Sequence, residues 1–388
     1  MKFDMIKEKY IDTIKSRVDI SQLVMDLCPG TSLLNAGKNR KKCCCVFHSE
    51  KTPSLMLDLS LNMFKCFGCG KGGDIISFVQ ELKGFDFVEA VKFLLKTYCP
   101  DVDTSDLYSK QTDEEIEAEQ HRESLFICNK FAYDFFRQQY EADCEESARC
   151  RLYAEDRWER EFCKTLGLGY APLKGNQFLA FARKQGLKTE LLLELGLIAQ
   201  EENHPDHYYD FYRGRLMIPQ RDRYGRIVTF TARSLNPQAT NKYLNGKDSP
   251  IYKKSLSIFG IDVALKAARQ SGKVYLVEGA PDVMRLQSLG IPNVVASLGG
   301  AWSKEQLNTF SRFGCSLCFI PDADVPKEGE RFGKGEQFVF KNGRLATELG
   351  FQVSVREIPT DGKVKQDADS YITSMDQWET LTEKDFIL

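Results

Sequence analysis

Two sets of residues in this sequence have types and spacings that could do chemistry. The first is acidic. Glu278 closes the apolar run Val274-Tyr275-Leu276-Val277 and is followed at once by Gly279. Asp322 and Asp324 follow a second apolar run, Leu317-Cys318-Phe319-Ile320, and Pro321, and Asp367 and Asp369 close a later stretch. Carboxylates gathered without basic partners repel one another, and a divalent cation removes that cost. An all-oxygen ligand set suits Mg²⁺ or Mn²⁺. The bland alternative, solvated loop acids, explains one such acid well and three such groups poorly. The second set is Cys45-Val46-Phe47-His48 with Cys66-Phe67-Gly68-Cys69. Two pairs of soft ligands, each separated by two residues, can close a tetrahedron around Zn²⁺. Cys43 and Cys44 adjoin Cys45 and either could stand in for it, but Cys45 alone has that spacing to His48. Four protein ligands leave no open position, so zinc here is structural.

These residues need elements to position them. Apolar, β-branched runs bounded by Gly or Pro read as buried strands. After the first such run, Pro281 suits the first turn of a helix carrying Val283, Met284, Leu286 and Leu289. Then come a strand at Asn293-Val294-Val295-Ala296-Ser297, a helix capped by Ser303, the strand before Asp322, a helix over 338–349 and a strand over 352–358. That βαβαβ pattern predicts a parallel sheet covered by helices. Ligands of such sheets bind beyond the carboxyl ends of the strands, which sends Glu278, Asp322 and Asp324 to one edge. In the cysteine block, Ser54-Leu55-Met56-Leu57 and Asn62-Met63-Phe64-Lys65 read as strands of a small ribbon. Asp74 is placed to cap one following helix, and Asp86 with Glu89 to cap the next. Lys38, Arg40, Lys41, Lys42, Lys51, Lys65 and Lys71 make a basic surface suited to a nucleic-acid strand. Phe47, Phe64 and Phe67 among them read as the ribbon's own core. Cys315 and Cys318 lie in a strand and read as packed thiols, as do Cys128, Cys144, Cys150 and Cys163, which lack ligand spacing.

At 388 residues the chain suits two or three domains. A net charge of −2 gives no general affinity for polyanions, so any nucleic-acid surface must be local. No apolar run approaches the ~20 residues of a membrane helix, and Met1-Lys2-Phe3-Asp4 lacks the apolar core of a signal peptide. A cytoplasmic location follows, in which the 13 cysteines are thiols or metal ligands. The expected division is a zinc module over 1–100, a linker over 101–122 carrying the acid run Asp113-Glu114-Glu115-Ile116-Glu117, a helical and basic-strand part over 123–260, a catalytic sheet over 261–375 and a tail over 376–388. Residues 162–172 read as a turn-rich crossing, and Arg221 to Arg226 as a hairpin whose arginines are an exposed face.

Glu278-Gly279-x-x-Asp282, Asp322-x-Asp324 and Asp367-x-Asp369 resemble the TOPRIM domain of primases, topoisomerases and some nucleases. Val18-Asp19-Ile20, Cys45-x-x-His48-x-Glu50-Lys51-Thr52-Pro53-Ser54, Cys66-Phe67-Gly68-Cys69-Gly70 and Gly73-Asp74 resemble the zinc-binding domain of bacterial DnaG-type primases. Val46 stands where that family usually has Pro, and the loop after Asp324, through 335, is longer and more polar than usual. The resemblance implies an α/β and α+β multidomain chain: a zinc ribbon, a mixed subdomain and a Rossmann-like parallel sheet. It implies synthesis of short RNA primers on a single-stranded DNA template from nucleoside triphosphates. Asp322 and Asp324 would be the main ligands of Mg²⁺ or Mn²⁺, Glu278 a ligand or proton acceptor, and Asp282 a support of the metal shell. Asp369, with Asp367, would add or support a second ion. Arg213, Arg215, Arg233, Lys242 and Lys254 match basic positions that engage template and triphosphate. The family usually continues into a helicase-docking domain. The chain stops at Leu388, so a mobile-element or accessory member, or a truncated one, without a helicase contact is expected. The alternatives are a TOPRIM phosphodiesterase that cuts DNA and a DNA-binding module without turnover.

Overall fold

The computed structural model describes residues 5–109, 113–299, 301–311, 313–326, 332–359 and 365–387. Residues 327–331 of the loop after Asp324, Gly300 and the two chain ends lie outside the described residues. The chain divides into two compact units, Met1–Glu117 and Ala118–Leu388.

The first unit is built on an antiparallel sheet whose five strands follow chain order: Leu34–Asn35, Arg40–Cys43, Leu55–Asp58, Met63–Cys66 and Gly72–Asp74. Leu55 and Leu57 alternate with Met56 and point inward, fully buried, as the period of a strand requires. Helices Glu8–Arg17, Ile20–Leu27, Ile75–Lys83 and Phe87–Tyr98 pack around it, with Ile14, Leu23, Phe78 and Leu94 in the shared core. Asp74 accepts a hydrogen bond from the Ser77 N–H, and Asp86 with Glu89 closes a capping box. Phe47, Phe64 and Phe78 meet edge to tilted face in this core. Phe67 departs from the expected core role, with 72% of its surface exposed on the turn between Cys66 and Cys69.

The expected linker over 101–122 is structured on both sides of residues 110–112. Leu107 is buried in the first core, and Tyr108–Ser109 pairs with Met5–Ile6. The acid run opens the helix Asp113–Glu141, where acids in the first turn interact favourably with the positive end of the helix dipole.

In the second unit an antiparallel sheet runs in the order Tyr243–Asn245, Ile227–Ser234, Arg215–Arg221 and Gly169–Ala171. Gly169–Ala171 is thus a buried strand rather than the turn-rich crossing expected. Gly169 can pair there because a Cβ would fall 2.6 Å from Phe136 Cβ. Cys128, Cys150 and Cys163 are buried as expected, but Cys144 is exposed at the start of the helix Glu145–Glu155. The third sheet has the order Val294–Ala296, Lys273–Val277, Ser316–Phe319, Val353–Arg356 and Glu383–Asp385. The first four strands are parallel and the last is antiparallel. Residues 383–385 of the expected tail over 376–388 are therefore part of the sheet. Trp378 and Leu381, 7% and 4% exposed, carry the tail into the core.

Candidate active site

The zinc-type ligands lie wholly in the first unit. Ligand atoms of Cys45, His48, Cys66 and Cys69 all lie within 4.8 Å of one another. Cys45 Sγ and Cys69 Sγ are 3.8 Å apart, and Cys66 Sγ is 3.9 Å from His48 Nδ1. A tetrahedron with Zn–S bonds of about 2.3 Å has edges of about 3.8 Å, so the donor set fits zinc. The N–H groups of Phe47 and Cys69 point at Cys45 Sγ and Cys66 Sγ, at 3.4 and 3.3 Å. His48 turns its other nitrogen, Nε2, to Glu50 Oε2 at 3.2 Å. Glu50 also accepts from the backbone of Cys45 and Ser54. A carboxylate behind a ligating imidazole fixes its orientation and tautomer. Glu50 enters the sequence reading only as part of a family motif. Cys43 is buried with the core, Cys44 is exposed, and neither is in the cluster.

The acidic edge belongs to the parallel sheet. Lys273–Val277 and Ser316–Phe319 are adjacent, with Leu276 opposite Phe319, so Glu278 and Asp322 leave neighbouring strands at the same end. Ligand oxygens of Glu278, Asp322 and Asp324 all lie within 4.8 Å of one another. The Asp322 N–H donates to Glu278 Oε1 at 3.3 Å, and the Gly335 N–H to Asp324 Oδ2 at 3.1 Å. The Lys365 ammonium lies 2.7 Å from Asp322 Oδ2 and 3.0 Å from Asp324 Oδ1. Burial, reinforced by the charge of Asp322, pushes the Glu278 carboxyl up to about 7. Burial also raises Asp322, against the pull of Lys365. Three crowded, partly desolvated carboxylates form a site that favours a multivalent cation.

Asp282, Asp367 and Asp369 do not join those three. Asp282 is 5% exposed and accepts from the N–H groups of Gly279 and Asp369. It fixes the turn that carries Glu278 and ties it to the later acidic stretch. Asp367 caps the short helix Ala368–Tyr371 through the Ser370 N–H. Asp369, expected with Asp367 to add or support a second ion, has protein partners of its own. Its carboxylate, 2% exposed, takes the guanidinium of Arg157, the Trp158 indole N–H at 3.2 Å and Arg285 Nε at 3.4 Å. Two guanidinium groups thus offset its buried charge. Sequence reasoning missed Arg157, Trp158, Arg285 and Lys365, since none carries a motif.

The basic residues divide by exposure. Arg215 is half-buried and donates to the carbonyls of Ala232 and Asn241. Burial and the charge of Arg233 hold its guanidinium below the usual range. Arg213 donates to Asn176 and to the Asp210 carbonyl. Arg233 donates to the Tyr153 hydroxyl and lies over the Tyr243 ring. Tyr153 also receives Arg157, so contacts link Arg233 to the Asp369 cluster. Lys242 is exposed. Lys254 is exposed, and its Cε would lie 3.8 Å from a Cβ on Gly299, in the loop after the strand Val294–Ala296. Cys315 and Cys318 are buried thiols.

A ribbon carrying a Cys/His ligand set, followed by a parallel sheet with an acidic edge, defines a class of proteins that join a zinc ribbon to a Toprim-like domain. Family models agree along the chain: a CHC2 zinc finger over 6–110, the N-terminal domain of the DNA primase catalytic core over 135–265 and a Toprim-like domain over 275–372. The DNA primase of Clostridium acetobutylicum is 31% identical over 369 residues, covering 95% of this chain and 57% of that protein. The crystal structure of the zinc-binding and RNA polymerase domains of the Aquifex aeolicus primase superposes with a TM-score of 0.59 at 27% identity, covering 97% of this chain and 86% of that one. The RNA polymerase domain of Mycobacterium tuberculosis primase DnaG, solved with a double-stranded DNA bearing a 6-nucleotide overhang, gives 0.55 at 26%, over 67% of this chain and 81% of that one. The chain belongs to the DnaG-type primase family. It spans a little over half the length of the curated relatives it matches. Among the described residues no helix is long and apolar enough to cross a membrane.

Proposed function

We propose that the chain is a DNA primase, a DNA-templated RNA polymerase that makes short primers on single-stranded DNA in the cytoplasm. The observation that carries this reading is the convergence of Glu278, Asp322 and Asp324 at the strand ends of a Toprim-like sheet that follows a primase-type zinc ribbon and core. A divalent ion, Mg²⁺ or Mn²⁺, would there neutralise phosphate charge and activate the attacking hydroxyl. Asp322 and Asp324 would hold the ion, the Asp324 carboxylate being steadied by the Gly335 N–H. Glu278 either ligates or takes a proton; a carboxyl poised at about 7 can exchange a proton at working pH. Asp282 would support the metal shell by holding the Glu278 turn, and Asp369, with Asp367, would support a second ion from the adjoining stretch, whose Asp369 N–H donates to Asp282. Arg213, Arg215, Arg233, Lys242 and Lys254 supply charge for template and triphosphate; Lys242 and Lys254 are exposed to meet them, and Arg215 and Arg233 brace the sheet. Zinc holds the ribbon and takes no part in bond making. The M. tuberculosis relative carries DNA, which supports the choice of partner.

The test is incorporation of labelled nucleoside triphosphates on a single-stranded template. Wild type should give short, template-dependent products. Glu278→Gln and Asp322→Asn should each lower the rate by about a hundredfold or more, as for loss of a group acting on the transition state. Normal yield from either variant overturns the mechanism. Cutting of DNA by wild type without nucleotides would overturn the primase reading in favour of a phosphodiesterase.

A further inference from the structure

The acidic edge holds a cation of the protein's own. One ammonium, Lys365 Nζ, bridges Asp322 Oδ2 and Asp324 Oδ1 at 2.7 and 3.0 Å, the two carboxylates assigned above as the main ligands of the divalent ion. Those side chains are only 11% and 12% exposed, whereas that of Lys365 is 53% exposed. The lysine is not a chance neighbour. The next residue, Gln366, exchanges two backbone hydrogen bonds with Ala323, which stands between the acids: Ala323 N–H to Gln366 O at 2.7 Å and Gln366 N–H to Ala323 O at 3.1 Å. The ammonium is therefore tethered to the ligand loop itself, and tethering gives it a local concentration that a free cation would lack.

An ammonium and a divalent ion cannot share these oxygens. Centred among the same carboxylates they would lie within about 4 Å of each other, where like charges repel strongly outside bulk water. The long, half-exposed lysine stem can swing its head into solvent and keep its hydration there. The carboxylates cannot move as freely, because Asp324 receives the Gly335 N–H and Glu278 receives that of Asp322.

We propose that Lys365 is a tethered counter-ion of the acid site, which keeps Asp322 and Asp324 together in the metal-free protein and is displaced by the divalent ion, so that it sets the concentration at which that ion binds. The proposal rests on reading Glu278, Asp322 and Asp324 as a divalent-ion site. Without Lys365 the acids keep their charge and lose their competitor. They then bind the ion more tightly but repel one another when it is absent.

The experiment is Mn²⁺ titration of the zinc-loaded full chain, followed by the electron paramagnetic resonance of free Mn²⁺, with melting in chelator and in Mn²⁺ alongside. Lys365→Met and Lys365→Gln should each bind Mn²⁺ about tenfold tighter than wild type. Both should melt below wild type in chelator and close or reverse that gap in Mn²⁺. Lys365→Arg, which keeps a cation, should bind Mn²⁺ as weakly as wild type. Equal affinity in wild type, Met and Gln variants, with binding lost in Asp322→Asn, overturns the role of Lys365 and leaves the metal site standing. Absence of stoichiometric Mn²⁺ binding in wild type and variants alike, or full binding by Asp322→Asn, overturns the metal reading and this proposal with it.

Discussion

Glu278, proposed above as a metal ligand or proton acceptor, is held in place at a cost to the fold. Burial beside Asp322 raises its carboxyl from an ordinary 4.5 to about 7. Between those values the folded state holds a proton that the unfolded state has lost. The folded state thus binds more protons there, and stability falls as pH rises through that window. The penalty is complete above pH 7 and absent below 4.5. Glu278→Gln removes it. The metal-free variant should therefore melt a few degrees above wild type at pH 8 and level with it near pH 4.5. A divalent ion should erase its advantage at pH 8, since wild type then gains a ligand that Gln supplies poorly. Equal melting of the two metal-free proteins at pH 8 would show that Glu278 is not strained. The sequence made this acid legible because a strand-ending Glu next to Gly has a position that topology can predict. It could not show that Asp369, in a motif of the same form, faces inward. That depends on Arg157, in the turn after the helix Glu145–Glu155, and Arg285, on the helix Ala280–Ser288, which are remote in the chain and obey no spacing rule.

At the scale of elements, the acid loop is shaped by the helix that follows it. Lys334–Glu348 starts against the loop backbone so closely that a Cβ on Gly335 would lie 1.9 Å from the Asp322 carbonyl oxygen, and one on Gly333 2.6 Å from that of Asp324. This approach brings the Gly335 N–H to Asp324 and sets the positive end of the helix near a carboxylate. An ordinary Gly→Ala change within a helix adds about 1 kcal/mol of stability. Gly335→Ala should do the reverse: lower the melting temperature and weaken Mn²⁺ binding by about tenfold or more. Lys341→Ala, at an exposed site on the same helix, should do neither. Calorimetry and Mn²⁺ titration decide it, and a Gly335→Ala protein that binds Mn²⁺ like wild type would sink the argument. The helix itself was readable from its apolar period. The need for glycine at 335 was not, because steric approach to a loop eleven or more residues earlier leaves no trace in a hydrophobic pattern. The edge strand Glu383–Asp385 was hidden for a related reason: it is short, and its residues are exposed.

The whole molecule has two sources of order that respond to different ions. The core of the first unit draws on residues from Tyr10 to Leu107, with Cys45, Cys66 and the ribbon strands inside it. A ribbon with strands of two to four residues buries little surface, and closing its turns around zinc supplies stability that such strands cannot. The clusters of the second unit draw on residues from Leu125 onward and contain none of the zinc-type ligands. The sequence showed this separation well, since all four soft ligands precede residue 70 and all the strand-end acids follow residue 277. Calorimetry of the full chain should therefore resolve two transitions. A strong zinc chelator should abolish the first and leave the second within a degree or two. Cys69→Ser should reproduce that loss without chelator. Mn²⁺ should raise only the second, by mass action on the folded acid site. A single transition that vanishes whole on zinc removal would mean that the second unit cannot stand without the ribbon. In that case the acid edge would depend on zinc for its geometry, and the division of labour between a structural and a catalytic ion would fail.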